Sequence, residues 1–274
     1  MTEPPVPLAS VSRLGTVSGL ATLLLLADGR LPAGGHAHSG GLEAAVTGGR
    51  LRDLDDLAGF LRGRLATTGR VTAAFAAASC AAASHPGTAG VPHTAGVPND
   101  AGVPNDAGVP NDAGVPHVDV AARVARHRLD ELDEGLDART PSPALRRASR
   151  TQGRALLRAG RAIWSVDPVH RDRHQPVALG IVAAAAGLAP ASAAAAGVYG
   201  TVTGPAGAAV RLLGLDPYAV HALLAELADE CDRLAGIVAE RVGDPVDLLP
   251  ADSTPLLEIG AEAHANWEVR LFAS

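Results

Sequence analysis

Apolar residues recur along this chain at intervals of three and four, a spacing that predicts an all-α protein. Thr16 to Asp28 is apolar on nearly every face, as in a helix surrounded by others. Ser39 to about Gly49 gives a second helix, and Asp53 to Ser84 gives one or two more, with Gly69 as a dividing point. There Leu54, Leu57, Phe60, Leu61 and Leu65 share a face, while Asp53, Asp55 and Asp56 occupy the first turn, where the helix dipole favours acids. Val118 to about Arg139 is amphipathic, with Leu129, Leu132 and Leu136 at i, i+3 and i+7. Ser142 and Pro143, as cap and first helical residue, open a helix running to about Trp164. Asp216 caps a long helix from Pro217 to about Val242, whose inward face is Val220, Leu223, Leu224, Leu227, Leu234 and Val238.

Pro176 to Val210 carries no charge over more than the length of a membrane-spanning helix. Pro190 divides it, and alanine and glycine contribute little transfer energy, so the pattern predicts a buried helical hairpin, with a membrane-embedded bundle as the rival. Two segments break the helical pattern. The proline-rich residues 1–15 read as a flexible arm. Between Ala89 and Val118 a hexapeptide repeats: AGVPHT, AGVPND three times, then AGVPHV. Its prolines and glycines prevent helix and central strand, and one apolar residue per repeat cannot offset chain entropy. Residues 85–118 are therefore expected to form a disordered loop interrupting a single bundle-like domain, 16–274, of about nine or ten helices.

Composition narrows the chemistry. Of 274 residues 47% are apolar, enough for a sizeable core, yet only 3% are aromatic, so small side chains must pack helices closely. A net charge of -6, without a basic stripe interleaved with aromatics, argues against nucleic-acid binding. Cys80 and Cys231 lie far apart in predicted helix interiors and read as reduced, buried thiols. The first ten residues hold Glu3 and no base, unlike a secretory signal, so a cytoplasmic protein is expected. Arg146, Arg147, Arg150, Arg154, Arg158 and Arg161 make one helix face cationic; a solvated or acid-paired surface is expected there, with an acidic partner as the alternative.

The stretch Leu24 to Glu43, LLLADGRLPAGGHAHSGGLE, reads as helix, sharp corner, helix, with Ser39 as N-cap of the second helix and Glu43 in its first turn. The chain contains no lysine, which rules out a phosphate-cradling P-loop. His36 and His38 have no second ligand pair at a metal-site spacing, so no metal site is expected. A nucleophilic Ser39 needs a base, and a helical hydrolase using Ser39 and a histidine stands as an alternative.

This corner resembles the signature of the urease accessory protein UreF family, in which an apolar helix enters Leu-Pro-x-Gly-Gly, followed by an aromatic, a small residue and His-Ser-x-Gly-x-Glu. Leu31, Pro32, Gly34, Gly35, His38, Ser39, Gly41 and Glu43 match, while His36 stands where the family usually carries Phe or Tyr. HQPVALG at His174 to Gly180, the stretch around Tyr199, and AAVRLLGL at Ala208 to Leu215, which contains Arg211, also resemble family motifs. In the tail PLLEIGAEAHANWEVRLFAS, Pro255, His264, Arg270, Leu271, Phe272 and Ser274 match. The hexapeptide repeat has no counterpart in the family pattern.

The resemblance implies a homodimeric, non-catalytic scaffold that binds the accessory protein UreD, also called UreH. With it the scaffold recruits the GTPase UreG to the urease apoprotein for nickel insertion, and it holds no stably bound cofactor itself. It assigns partner binding to His38, Ser39, Glu43, Tyr199, Arg211, His264, Arg270, Leu271, Phe272 and Ser274. Leu271 and Phe272 are expected to anchor the tail by burial. Arg270 is expected to hold it against the body by pairing with an acid or with a ring such as Tyr199.

Overall fold

The computed structural model describes residues 19–84, 120–164 and 166–272, which are helical and contain no strand. The expected N-terminal arm and hexapeptide loop lie outside the described residues. α1 (Leu20–Ala27), a short 3₁₀ turn (Gly35–Ala37) and α2 (Leu42–Thr47) form the corner. α3 (Leu54–Arg64) and α4 (Arg70–Ala83) are one rod, joined through a π-helical turn ending at Gly69. α5 (Val120–Arg139) and α6 (Pro143–Trp164) follow, then the hairpin α7 (Gln175–Ala185) and α8 (Pro190–Leu213). The last described helices are α9 (Pro217–Glu226), α10 (Ala228–Ala239) and α11 (Pro255–Ala265).

Local chemistry fixes the helix ends. Asp53 accepts the Asp56 N–H at 2.9 Å to open α3, and Asp216 accepts the N–H groups of Tyr218 and Ala219 to open α9. Ser142 Oγ accepts the Leu145 N–H at 3.2 Å, with Pro143 as first residue of α6. Gly214, at φ 64°, ends α8 in the left-handed conformation that glycine adopts without a Cβ clash.

The centre of the fold is α4, buried continuously from Thr72 to Cys80. One core lies on one side of it, where Phe75 meets Leu129 and Leu132 of α5, Leu157 of α6 and Val177, Ile181 and Val182 of α7. On the other side Ala73, Ala74 and Ala77 meet Leu57 and Leu61 of α3, Ala194, Val198 and Val202 of α8, and Val220 and Leu223 of α9. Alanine and glycine let α4 serve both cores at once. A Cβ at Gly180 of α7 would stand 2.4 Å from the Ala76 carbonyl oxygen, so the two backbones are nearly in contact. The charge-free hairpin is thus buried inside the protein, and no described helix is long and apolar enough to cross a membrane.

Three expectations change. α1 is not enclosed: of its leucines only Leu26 is buried, and Leu24 is 62% exposed, with Leu20 and Leu25 also exposed. An all-apolar helix needs cover, but the cover here does not come from the described part of its own chain. The expected single helix after Asp216 breaks at Leu227, where ψ relaxes to -7°. α10 restarts there with Asp229 and Glu230 in its first turn, which favours a new helix start. Cys80 is buried, its thiol pushed up to about 11 by desolvation, but Cys231 is only half-buried.

Much of the arginine face of α6 is internally paired. Arg150 donates to Asp133 and Asp137 of α5 at 3.0 and 2.6 Å, and Arg154 to Asp172 at 3.0 Å. The same network holds His174, the residue before α7. Its Nε2 meets Asp137 Oδ1 at 2.9 Å, its Nδ1 meets Ser149 Oγ at 3.0 Å, and its N–H donates to Asp133 Oδ1. Ser149 Oγ also accepts the Gln175 N–H at 3.1 Å, so this serine, histidine and aspartate clamp α5, α6 and α7 together. His174→Ala should cost about 2 kcal/mol, read as a lowered urea midpoint, because a fully buried ring with two polar partners is lost.

Candidate functional site

The corner turns on glycines held at positive φ. Gly41, at φ 87°, lies under Leu257 of α11, where a Cβ would come within 3.0 Å, and Gly40, at φ 62°, lies under Pro205 of α8. Only a residue without a side chain lets α8 and α11 close over the corner. Ser39 acts as a cap, though displaced: α2 begins at Leu42 after Gly41, and Ser39 Oγ accepts the Glu43 N–H at 3.2 Å. Ser39 is fully buried and offers no surface to a substrate.

Glu43, 5% exposed, is the junction of the site. Its Oε1 accepts the Leu271 N–H at 2.7 Å, and its Oε2 accepts the Phe272 N–H at 3.1 Å and lies 2.8 Å from His264 Nε2. Burial alone would raise the Glu43 pKa, but the Leu271 N–H, His264 and the Phe272 N–H outweigh it and hold the carboxyl below its ordinary value. The C-terminal tail is therefore latched to the corner through its backbone. Phe272 inserts into the second core, and the Arg211 guanidinium sits 4.5 Å from its ring centre. Arg211 Nη2 also donates to the His36 carbonyl at 3.3 Å, which ties corner, α8 and tail into one ring of contacts.

Beside the latch runs a cleft of about 570 Å³, with His36, His38, Arg64, Tyr199 and Arg211 on its walls. His38 is half-buried; desolvation, with a smaller contribution from His36, lowers its pKa and keeps it neutral at physiological pH. Arg64, at the C-terminus of α3, shapes the cleft floor. Pro205 has no N–H to give the Thr201 carbonyl inside α8. Arg64 Nε supplies the missing donor at 3.0 Å, while Nη1 donates to the Gly40 carbonyl at 2.7 Å.

The structure brings Ser39, Glu43, Arg211, His264, Leu271 and Phe272 together, with His38 and Tyr199 on the adjoining cleft. Ser274 lies outside the described residues. Two expectations are corrected. Among the described residues Arg270 has no ion pair with an acid, no hydrogen bond and no cation–π contact with Tyr199; it is exposed. Leu271 is 74% exposed and anchors nothing by burial. The reason is the latch: Glu43 fixes the backbone N–H groups of residues 271 and 272, so only Phe272 turns inward and its two predecessors face solvent. Arg64 escaped the sequence reading, although an arginine on the stripe of Leu57, Phe60 and Leu61, three and four residues onward, was a signal for it.

A family model described as UreF matches residues 51–228. The chain is 43% identical over 261 residues to a urease accessory protein UreF of Mycobacterium sp. (strain JLS), an alignment covering 93% of this chain and 99% of that one. It is 40% identical to the protein of the same description in Mycolicibacterium vanbaalenii, over 94% of this chain and 100% of the other. The corresponding protein of Mycobacterium tuberculosis (strain ATCC 25618 / H37Rv) is 36% identical, again over 94% and 100%.

Proposed function

The chain belongs to the urease accessory protein UreF family, and on that premise we propose that it is the non-catalytic scaffold of urease nickel insertion. In this reading it works as a cytoplasmic homodimer, binds UreD (UreH), and with it recruits the GTPase UreG to apo-urease. Nickel is the cargo of the assembly rather than a cofactor of this chain. The observation that carries the reading is the latch: a buried glutamate orders the tail backbone while Arg270 and Leu271 stay exposed. An ordered tail presenting a cationic fork beside a large apolar side chain has the composition of an interface anchor. The exposed leucines of α1, together with exposed Leu256 and Ile259 on α11, add the apolar surface that a subunit of a stable assembly requires.

Co-expression with the other accessory proteins and apo-urease tests this directly. Arg270→Ala should leave the circular dichroism and melting temperature unchanged, because the side chain makes no described contact, and should weaken capture of the UreD-type partner by about tenfold or more. Normal assembly with loss only of stimulated GTP hydrolysis would instead assign Arg270 to the GTPase. Failure of the wild-type chain to join any urease maturation complex would overturn the scaffold reading.

A further inference from the structure

Among the described residues Arg64 is the only buried arginine, and its partners do not match its charge. Of five N–H donors two are engaged, both by neutral carbonyls, those of Thr201 and Gly40. Among the described residues Nη2 has no acceptor and no carboxylate forms an ion pair with the group, although Arg64 lines the cleft. Desolvation pulls its pKa down to about 10, which still leaves it cationic at neutral pH. A buried cation without a counter-ion is an expensive arrangement unless an anion completes it.

The other described residues of the cleft do not provide that anion. Asp252 is ion-paired with Arg70 and Asp28 with Arg30. Arg211 adds a second guanidinium to the same walls, with its own hydrogen bonds given to the carbonyls of Gly207 and His36. Arg139, the third lining arginine, also gives its hydrogen bonds to carbonyls, and Glu258 is the one lining acid without an ion pair among the described residues, so the lining arginines outnumber the acids not already paired.

We propose that this cleft is a carboxylate-binding site, in which the Nη1 and Nη2 edge of Arg64 takes the two oxygens of an incoming carboxylate. The two carbonyl bonds orient the guanidinium plane before the ligand arrives, so little side-chain freedom is lost on binding. The planar fork is what the site requires; a lysine would supply charge without the paired donors. Two sources carry the same chemistry: a free small dicarboxylate, or an Asp or Glu side chain of a protein partner.

The probe is succinate, titrated calorimetrically into the purified full chain against sodium chloride at matched ionic strength. Succinate should bind with one-to-one stoichiometry and raise the melting temperature, while chloride does neither. Arg64→Gln should weaken binding at least tenfold, and Arg64→Lys should fail to restore it. Succinate acting no differently from chloride on the wild type would overturn the proposal whether or not the variants fold, and so would unchanged binding in a folded Arg64→Gln chain. The source is read separately, in an arm that rests on the scaffold function. If succinate competes with capture of a urease-maturation partner, the carboxylate belongs to that partner's side chain. If succinate binds through Arg64 while assembly is untouched, the ligand is the free anion. Failure of all assembly with succinate binding intact would sink the scaffold reading and leave the site standing.

Discussion

Glu43→Ala should release the tail and lower stability by about 3 to 5 kcal/mol, the range for removing one partner from a buried charged network. The carboxylate accepts the N–H groups of Leu271 and Phe272 and pairs with His264, which is itself 2% exposed, so truncation leaves three donors facing a vacated space. Denaturant titration reads the energy, and carboxypeptidase digestion reads the release, since Leu271 and Phe272 would lose their fixed backbone. Capture of the UreD-type partner should fall further than in Arg270→Ala, because Leu271 and Phe272 lose position along with Arg270. The pH dependence has a definite sign. The Glu43 pKa is lowered in the folded state, so its contribution is complete above the unfolded glutamate value of about 4.3 and disappears as the pH falls through the lower folded value. The stability gap between wild type and Glu43→Ala should therefore be constant near neutrality and close in acid. A tail that resists digestion equally in both proteins would show that Phe272 alone holds it.

Gly180→Ala should be strongly destabilising, although it adds only one methyl group. The added Cβ would lie 2.4 Å from the Ala76 carbonyl oxygen, 2.5 Å from Ser79 Cβ and 2.6 Å from the Cys80 nitrogen, two of which are backbone atoms of the central helix. Neither can swing aside as a side-chain tip would, so α4 and α7 must separate and loosen the core around Phe75. Overpacking costs about 1 to 3 kcal/mol where side chains can adjust, and the upper end or beyond is expected here. Gly236→Ala in α10 is the control: it is exposed, nothing lies within 4 Å of its added Cβ, and helix propensity predicts a gain of up to about 1 kcal/mol. Opposite shifts in melting temperature for the two glycines would separate packing from propensity; a neutral Gly180→Ala would mean that the helices are not in backbone contact.

The sequence made visible what depends on neighbouring residues. Ser142 with Pro143, and Asp216, cap the helices where they were expected, Asp53 is the cap rather than a first-turn residue, and Pro190 divides the hairpin because its ring excludes helix continuation before it. The corner and tail motifs were also readable, but not that the fold brings Ser39, Glu43, Arg211, His264, Leu271 and Phe272 together. What periodicity could not reveal was the identity of the cover. α1 has the pattern of an enclosed helix, and apolarity does not distinguish burial within a chain from burial against another. Likewise nothing local announces that Glu43 binds backbone rather than Arg270, or that Pro205 frees a carbonyl which a residue 137 positions away satisfies. These are long-range pairings, and spacing along the chain carries no record of them.

The leucines left bare on α1 also bear on how much of this chain a cell can hold. A row of exposed Leu20, Leu24 and Leu25 is adhesive wherever it is left uncovered, and the adhesion grows with the square of the uncovered concentration. The useful quantity is then not the amount of the chain but its ratio to whatever covers that row. Copies in which the row stays uncovered are the ones expected to be lost to aggregation or to proteolysis.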